Sequence, residues 1–86
     1  MRVDFFSSRF CEPCMVTRSV LAEAGRLVGA MELVEHDVVR DESEAERRAI
    51  RSTPTVIVSG AAGEEIFRAE GIPSLNQVLV ALAQAV

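Results

Sequence analysis

Cys11 and Cys14 are the only cysteines in the chain, and two residues separate them. Thiols at this spacing can do three kinds of chemistry. They can close a small disulfide ring and exchange it with another disulfide, hold a soft metal ion, or form an inert cross-link. A zinc site takes about four ligands, and beyond the two cysteines the chain offers one histidine, His36, distant in sequence. Zinc would therefore need a second copy of the chain. A single cross-link is too few for the framework of a secreted mini-protein. Exchange is what the spacing suits best: one thiolate attacks, and the other expels the product from the mixed disulfide.

The elements around the pair decide how reactive it can be. Arg2 to Phe6 reads as a short strand, aromatic and β-branched, bounded by Ser7 and Ser8. A helix should begin at Glu12 or Pro13, since proline is pre-organised for the first helical position. Its apolar stripe is Val20, Leu21, Ala24, Leu27 and Val28, with Gly29 as the stop. The cysteines thus stand at a strand-to-helix junction. There the first thiol faces the free N–H groups and the positive end of a helix, which stabilise a thiolate. Glu12 opposes that stabilisation by its charge, and Arg9 reinforces it.

Further along, Met31 to Val39 carries a second strand of mixed character, with His36 as a surface residue of it. Ser43 and Glu46 have the spacing of a capping box for a polar helix running to Ile50, with Glu44 and Arg48 able to pair. Thr55 to Ser59 is uniformly apolar in its middle and predicts a strand buried on both faces. Gly60 to Gly63 is a tight connection to a hairpin partner over Glu64 to Ala69. After Gly71 comes a last helix with Pro73 near its start and a second capping box at Ser74 and Gln77. Its core stripe is Leu75, Val78, Leu79, Leu82 and Val86. The order is β-α-β-α-β-β-α, an α/β chain with parallel pairing through right-handed crossovers and an antiparallel edge. Copper-chaperone-like domains, which carry a metal on two thiolates, run β-α-β-β-α-β instead.

The totals bound the remaining classes. The 86 residues make one domain, 1–86. A net charge of -4 argues against nucleic acid as a partner. The chain leads straight into its first strand, and no apolar run reaches signal-peptide or membrane-span length, so the cytoplasm is the expected compartment.

Phe10-Cys-Glu-Pro-Cys14 resembles the thioredoxin active site, Trp-Cys-Gly-Pro-Cys, down to the proline before the second cysteine. Val3-Asp-Phe-Phe6 is similar to the strand that leads into that site. Ala49-Ile-Arg-Ser-Thr-Pro-Thr55 resembles the segment in which a cis-proline faces the disulfide, and Gly71 falls where the family usually has a glycine before the last helix. The resemblance covers essentially the whole chain at the length of a glutaredoxin, without thioredoxin's extra N-terminal strand and helix.

That resemblance to the thioredoxin/glutaredoxin superfamily implies a thioredoxin-like fold with a central four-stranded mixed sheet flanked by helices. It implies a dithiol–disulfide oxidoreductase serving electron transport and cell redox homeostasis. Cys11 would attack and Cys14 resolve. Asp4 would be the buried carboxylate under the disulfide, its pKa raised by burial, relaying a proton for Cys14. Phe10, Pro13, Thr53, Pro54 and Gly71 would form the substrate platform, with Pro54 cis and the Thr53 backbone open to an extended partner strand. No metal or organic cofactor is implied. The expected partners are client proteins with disulfides, and a thioredoxin-reductase-like flavoenzyme or a low-molecular-weight thiol as electron donor, serving a monomer. The alternatives are a metal- or Fe–S-binding CxxC module and a glutaredoxin-type enzyme. Gly71-Ile-Pro-Ser74 lacks the acidic residue that glutaredoxins usually present to glutathione's amine.

Overall fold

The computed structural model describes residues 1–86. Four strands, β1 (Arg2–Ser7), β2 (Glu32–Asp37), β3 (Thr55–Ser59) and β4 (Glu65–Glu70), alternate with three helices, α1 (Glu12–Leu27), α2 (Glu42–Arg47) and α3 (Leu75–Gln84). The order along the chain is β-α-β-α-β-β-α, as the sequence implies. The strands form one sheet in the order β2-β1-β3-β4. β1 and β2 run parallel, joined over α1, while β3 lies antiparallel to both β1 and β4. The sheet is therefore mixed.

Side chains alternate across a strand, and here each face of the sheet has its own cover. Val3 and Phe5 of β1, with Val56 and Val58 of β3, meet α1 and α3 through Leu21, Ala24, Val78, Ala81 and Leu82. Phe6 and Ile57 point the other way, onto Ala45 of α2 and the neighbouring Val38 and Ile50. This two-sided cover is why β3 reads as an unbroken apolar run and why all five of its residues are buried. α3 is held at its start by the anticipated box, with the Gln77 N–H donating to the Ser74 hydroxyl and the Ser74 N–H donating to the Gln77 side chain.

β1 and β4 shift from their expected limits by one residue, and the larger departures are in α2, β2 and the core stripes. α2 starts at Glu42, so Ser43 lies inside it and forms no cap, and Asp41 stands at the N-cap without capping through its side chain. α2 also stops before Ile50, because Ala49 turns the backbone into the left-handed region (φ 56) and frees Ile50 to pack against Phe6 and Ile57. β2 ends at Asp37, where the chain turns and the Asp37 carboxylate accepts the N–H groups of Val39 and Arg40. The core stripes are shifted as well: Cys14 and Thr17 join the buried face of α1 while Leu27 is half-exposed, and Val86 stands in solvent beyond α3. Glu44 and Arg48 do approach as a pair, at 3.8 Å.

Candidate active site

β1 ends at Ser7, and Ser8, Arg9 and Phe10 carry the chain to the start of α1. Phe10 takes a left-handed conformation (φ 56), rare for a bulky residue, and its ring is 98% exposed. The Arg9 guanidinium lies 5.5 Å from that ring's centre. Cys11 is then the N-cap of α1, with extended backbone angles. Its sulfur accepts the N–H of Cys14 at 3.1 Å, and its carbonyl accepts from Cys14 and Met15 at 3.1 and 3.3 Å. The first N–H groups of a helix have no partner within it, and here the Cys11 sulfur takes one of them. Pro13, in the first turn, withholds no needed donor.

Cys11 and Cys14 are joined as a disulfide, with their Cα atoms 5.2 Å apart. The two sulfurs are not equivalent. Cys14 is fully buried within the main core, whereas Cys11 is partly open to solvent. A cleft of about 510 Å³ beside the pair is lined by Phe10, Cys11, Glu12, Met15 and Arg18, among others. Thus only Cys11 presents a sulfur to an incoming group.

The loop before β3 comes to the same place. The Thr53–Pro54 peptide bond is cis. Pro54 is buried, and its carbonyl accepts the N–H of Gly71 at 2.8 Å. Gly71 holds φ at 106°, a conformation open to glycine and strained for other residues. The Thr53 hydroxyl lies 3.9 Å from the Cys11 sulfur and 2.7 Å from the Ser8 hydroxyl. Ser8, Thr53 and Cys11 therefore form a chain of two contacts that can deliver a donor to the sulfur. Ser8 was not among the residues singled out from sequence. Its only signal there was as the end of a strand, and nothing local links position 8 to position 53.

Asp4 is buried, 1% exposed, but it shares the α2 face of the sheet with Phe6, whereas Cys14 packs on the opposite face with Val3 and Phe5. Its Oδ1 accepts from His36 Nε2 at 2.8 Å and from Arg2 at 3.1 Å, and Arg48 stands 3.5 Å from Oδ2. Burial pushes the Asp4 carboxyl up, but hydrogen bonds from Arg2 and His36, with the charges behind them, outweigh it and hold the group below its ordinary value. The raised pKa expected from burial alone is thereby corrected. His36 is corrected too: it is a buried residue of an edge strand, stacked on Phe6 at 4.6 Å and set between Asp4 and Asp41. No three His, Cys, Asp or Glu side chains converge in a way that could hold a metal ion. No helix is long and apolar enough to cross a membrane.

A four-stranded mixed sheet, a disulfide at the start of its first long helix and a cis-proline loop facing that disulfide define a thioredoxin-like fold carrying a CxxC pair. No protein-family model and no curated protein matches the sequence. Solved structures do. Thioredoxin-2 of the malaria parasite, described as a component of its protein secretion machinery, superposes with a TM-score of 0.88 over 96% of this chain and 81% of its own, at 20% identity. Thioredoxin 1 of the thermophilic eubacterium Thermosipho africanus gives 0.84 over 98% of this chain and 92% of its own, at 19% identity. Reduced Schistosoma mansoni thioredoxin gives 0.85 over 99% and 78%, at 24% identity. At these identities the likeness is one of fold.

Proposed function

We propose that this protein is a thiol–disulfide oxidoreductase that passes two electrons from its Cys11–Cys14 dithiol to disulfides in client proteins. The observation that carries the reading is the asymmetry of the pair. The partly exposed Cys11 sulfur caps a helix and accepts its N–H, while Cys14 waits fully buried one turn along.

In the reduced protein the N-terminal N–H groups of α1 and the Thr53 hydroxyl favour the Cys11 thiolate over the thiol. That thiolate attacks one sulfur of the client disulfide. The client S–S bond breaks, a Cys11–client disulfide forms, and the second client sulfur leaves as a thiolate that takes a proton from water. Cys14 gives its proton to solvent, attacks the Cys11 sulfur and releases the first client sulfur, which is protonated from solvent in turn. The client ends with two thiols and the protein with the Cys11–Cys14 disulfide, so two electrons and two protons have reached the client. The Thr53 backbone beside Cys11 gives an extended client segment an edge to pair with, and Phe10 and Pro13 offer it apolar surface. A thioredoxin-reductase-like flavoenzyme, itself a protein, suits this platform better as electron donor than a small thiol does.

The test is a pair of substitutions with an insulin-type disulfide substrate. Cys11→Ser should abolish reduction, and Cys14→Ser should leave a trapped mixed disulfide on Cys11, visible by mass spectrometry. A reactive Cys14 in the Cys11→Ser protein would overturn the assignment of roles. Stoichiometric zinc, copper or iron in protein purified under reducing conditions would favour a metal-binding module instead.

A further inference from the structure

Every arginine in this chain has a carboxylate partner except two. The two, Arg9 and Arg40, line one polar cleft of about 420 Å³ with Ser8, Arg18, Glu35 and Asp37. That cleft shares Ser8 and Arg18 with the cleft beside the disulfide, so the two adjoin, one at Cys11 and the other at the end of β2. The carboxylates within it are already engaged. Glu35 accepts from Arg18 Nε and Nη2 and from the Ser7 hydroxyl, and Asp37 Oδ1 accepts the backbone N–H groups of Val39 and Arg40. Arg9 and Arg40 are exposed. Backbone N–H groups of Arg40 and Val39, and then the Arg40 and Arg9 charges, hold the Asp37 carboxyl below its ordinary value, so Asp37 offsets one of the two arginines. With Arg18 paired to Glu35, the cleft keeps one net positive charge in a chain of net charge -4.

From this juxtaposition we infer that the protein selects client segments carrying acidic residues next to the disulfide, read by Arg9 and Arg40. The inference rests on the oxidoreductase reading above and adds to it the charge of the substrate. Glu12 lines the cleft beside the disulfide but not the Arg9–Arg40 cleft. A small thiol with carboxylates, seated over Cys11, meets Glu12 and the arginines together. An extended protein segment can place its acids along the Arg9–Arg40 side alone, and a protein client is the occupant the cleft favours.

The experiment uses the pre-reduced full chain in single turnover with three cyclic disulfide peptides of one sequence. They differ only in two flanking residues, Glu, Gln or Lys, and oxidised glutathione serves as a fourth substrate. One exposed charge pair near contact alters a rate by about fivefold at low salt. The Glu peptide should therefore react about five- to tenfold faster than the Gln peptide and the Lys peptide slower still. The ratio should collapse between about 0.01 M and about 1 M salt as the screening length falls from about 30 to about 3 Å. In the double variant Arg9→Gln, Arg40→Gln, the Glu-to-Gln ratio should fall to near one. Equal rates for Glu and Gln peptides, or a ratio that survives the double variant, overturn the inference and leave the oxidoreductase reading intact. A response of oxidised glutathione alone to the variant also overturns it. Failure to reduce any of the four overturns both.

Discussion

Removing the charge of Asp4 tests whether this buried carboxylate holds the fold or serves the cysteines. In Asp4→Asn the shape is kept, but Arg2, His36 and Arg48 lose the negative charge they share, and one acceptor oxygen becomes an NH2 donor. Deleting one partner of a buried ion pair costs about 3–5 kcal/mol, because the others are left uncompensated. Arg2 is half-exposed and can turn to water, and Arg48 keeps Glu44 at 3.8 Å, so the lower end applies, about 3 kcal/mol. For a domain of this size that is a fall of about 3 M in the urea midpoint, or about 12–24 °C in Tm. The pH dependence has a definite sign. Asp4 has a lowered folded pKa, so its contribution is complete above the unfolded carboxylate range of about 3.9 and is lost as pH falls through the lower folded value. The wild-type protein should therefore lose more stability in acid than the Asn variant, which keeps only the contributions of carboxyls such as Glu35 and Glu65. Urea titrations at several pH values, with alkylation of the reduced thiols against pH, separate the two roles. A loss below about 1 kcal/mol, the ordinary size of a surface substitution or less, refutes the structural role. A shift in either thiol's titration with stability preserved would make Asp4 a proton relay.

Three further outcomes follow from the geometry. Thr53→Val removes the hydroxyl 3.9 Å from the Cys11 sulfur and should raise the Cys11 thiol pKa by about half a unit to one unit, read as thiolate absorbance against pH; an unchanged pKa would mean the contact is not a donor to the thiolate. Ser74→Ala opens the box that starts α3 and should cost about 1 kcal/mol in urea unfolding, with Ser74→Thr largely neutral. Leu21→Ala empties a fully buried site between α1 and the sheet and should cost about 2–5 kcal/mol while leaving the reduced cysteines' titration in place.

Most of the scaffold follows from local patterns in the chain. Period-two alternation and β-branching marked the strands, and the apolar run Thr55–Ser59 already required cover on both faces. The Cys11–Cys14 spacing before a proline-started helix placed a thiol at a helix N-terminus, because that relation is local and set by helix geometry. The Ser74–Gln77 box is equally local, and it formed. The Ser43–Glu46 pattern is just as good a local signal and did not form, because a different contact decided the start of α2. There Asp41, at the N-cap, lies 3.4 Å from His36 of β2. Alternation also put Asp4 opposite Val3 and Phe5, but it could not tell which face α1 would cover. Only the crossovers settled that, setting Cys14 on one face and Asp4 on the other with His36 and two arginines. The site itself depends on contacts between residues far apart in sequence: Ser8 to Thr53, Thr53 to Cys11 and Gly71 to Pro54. No local rule encodes such a pair, since each polar group is satisfied equally well by water until the sheet brings the loops together.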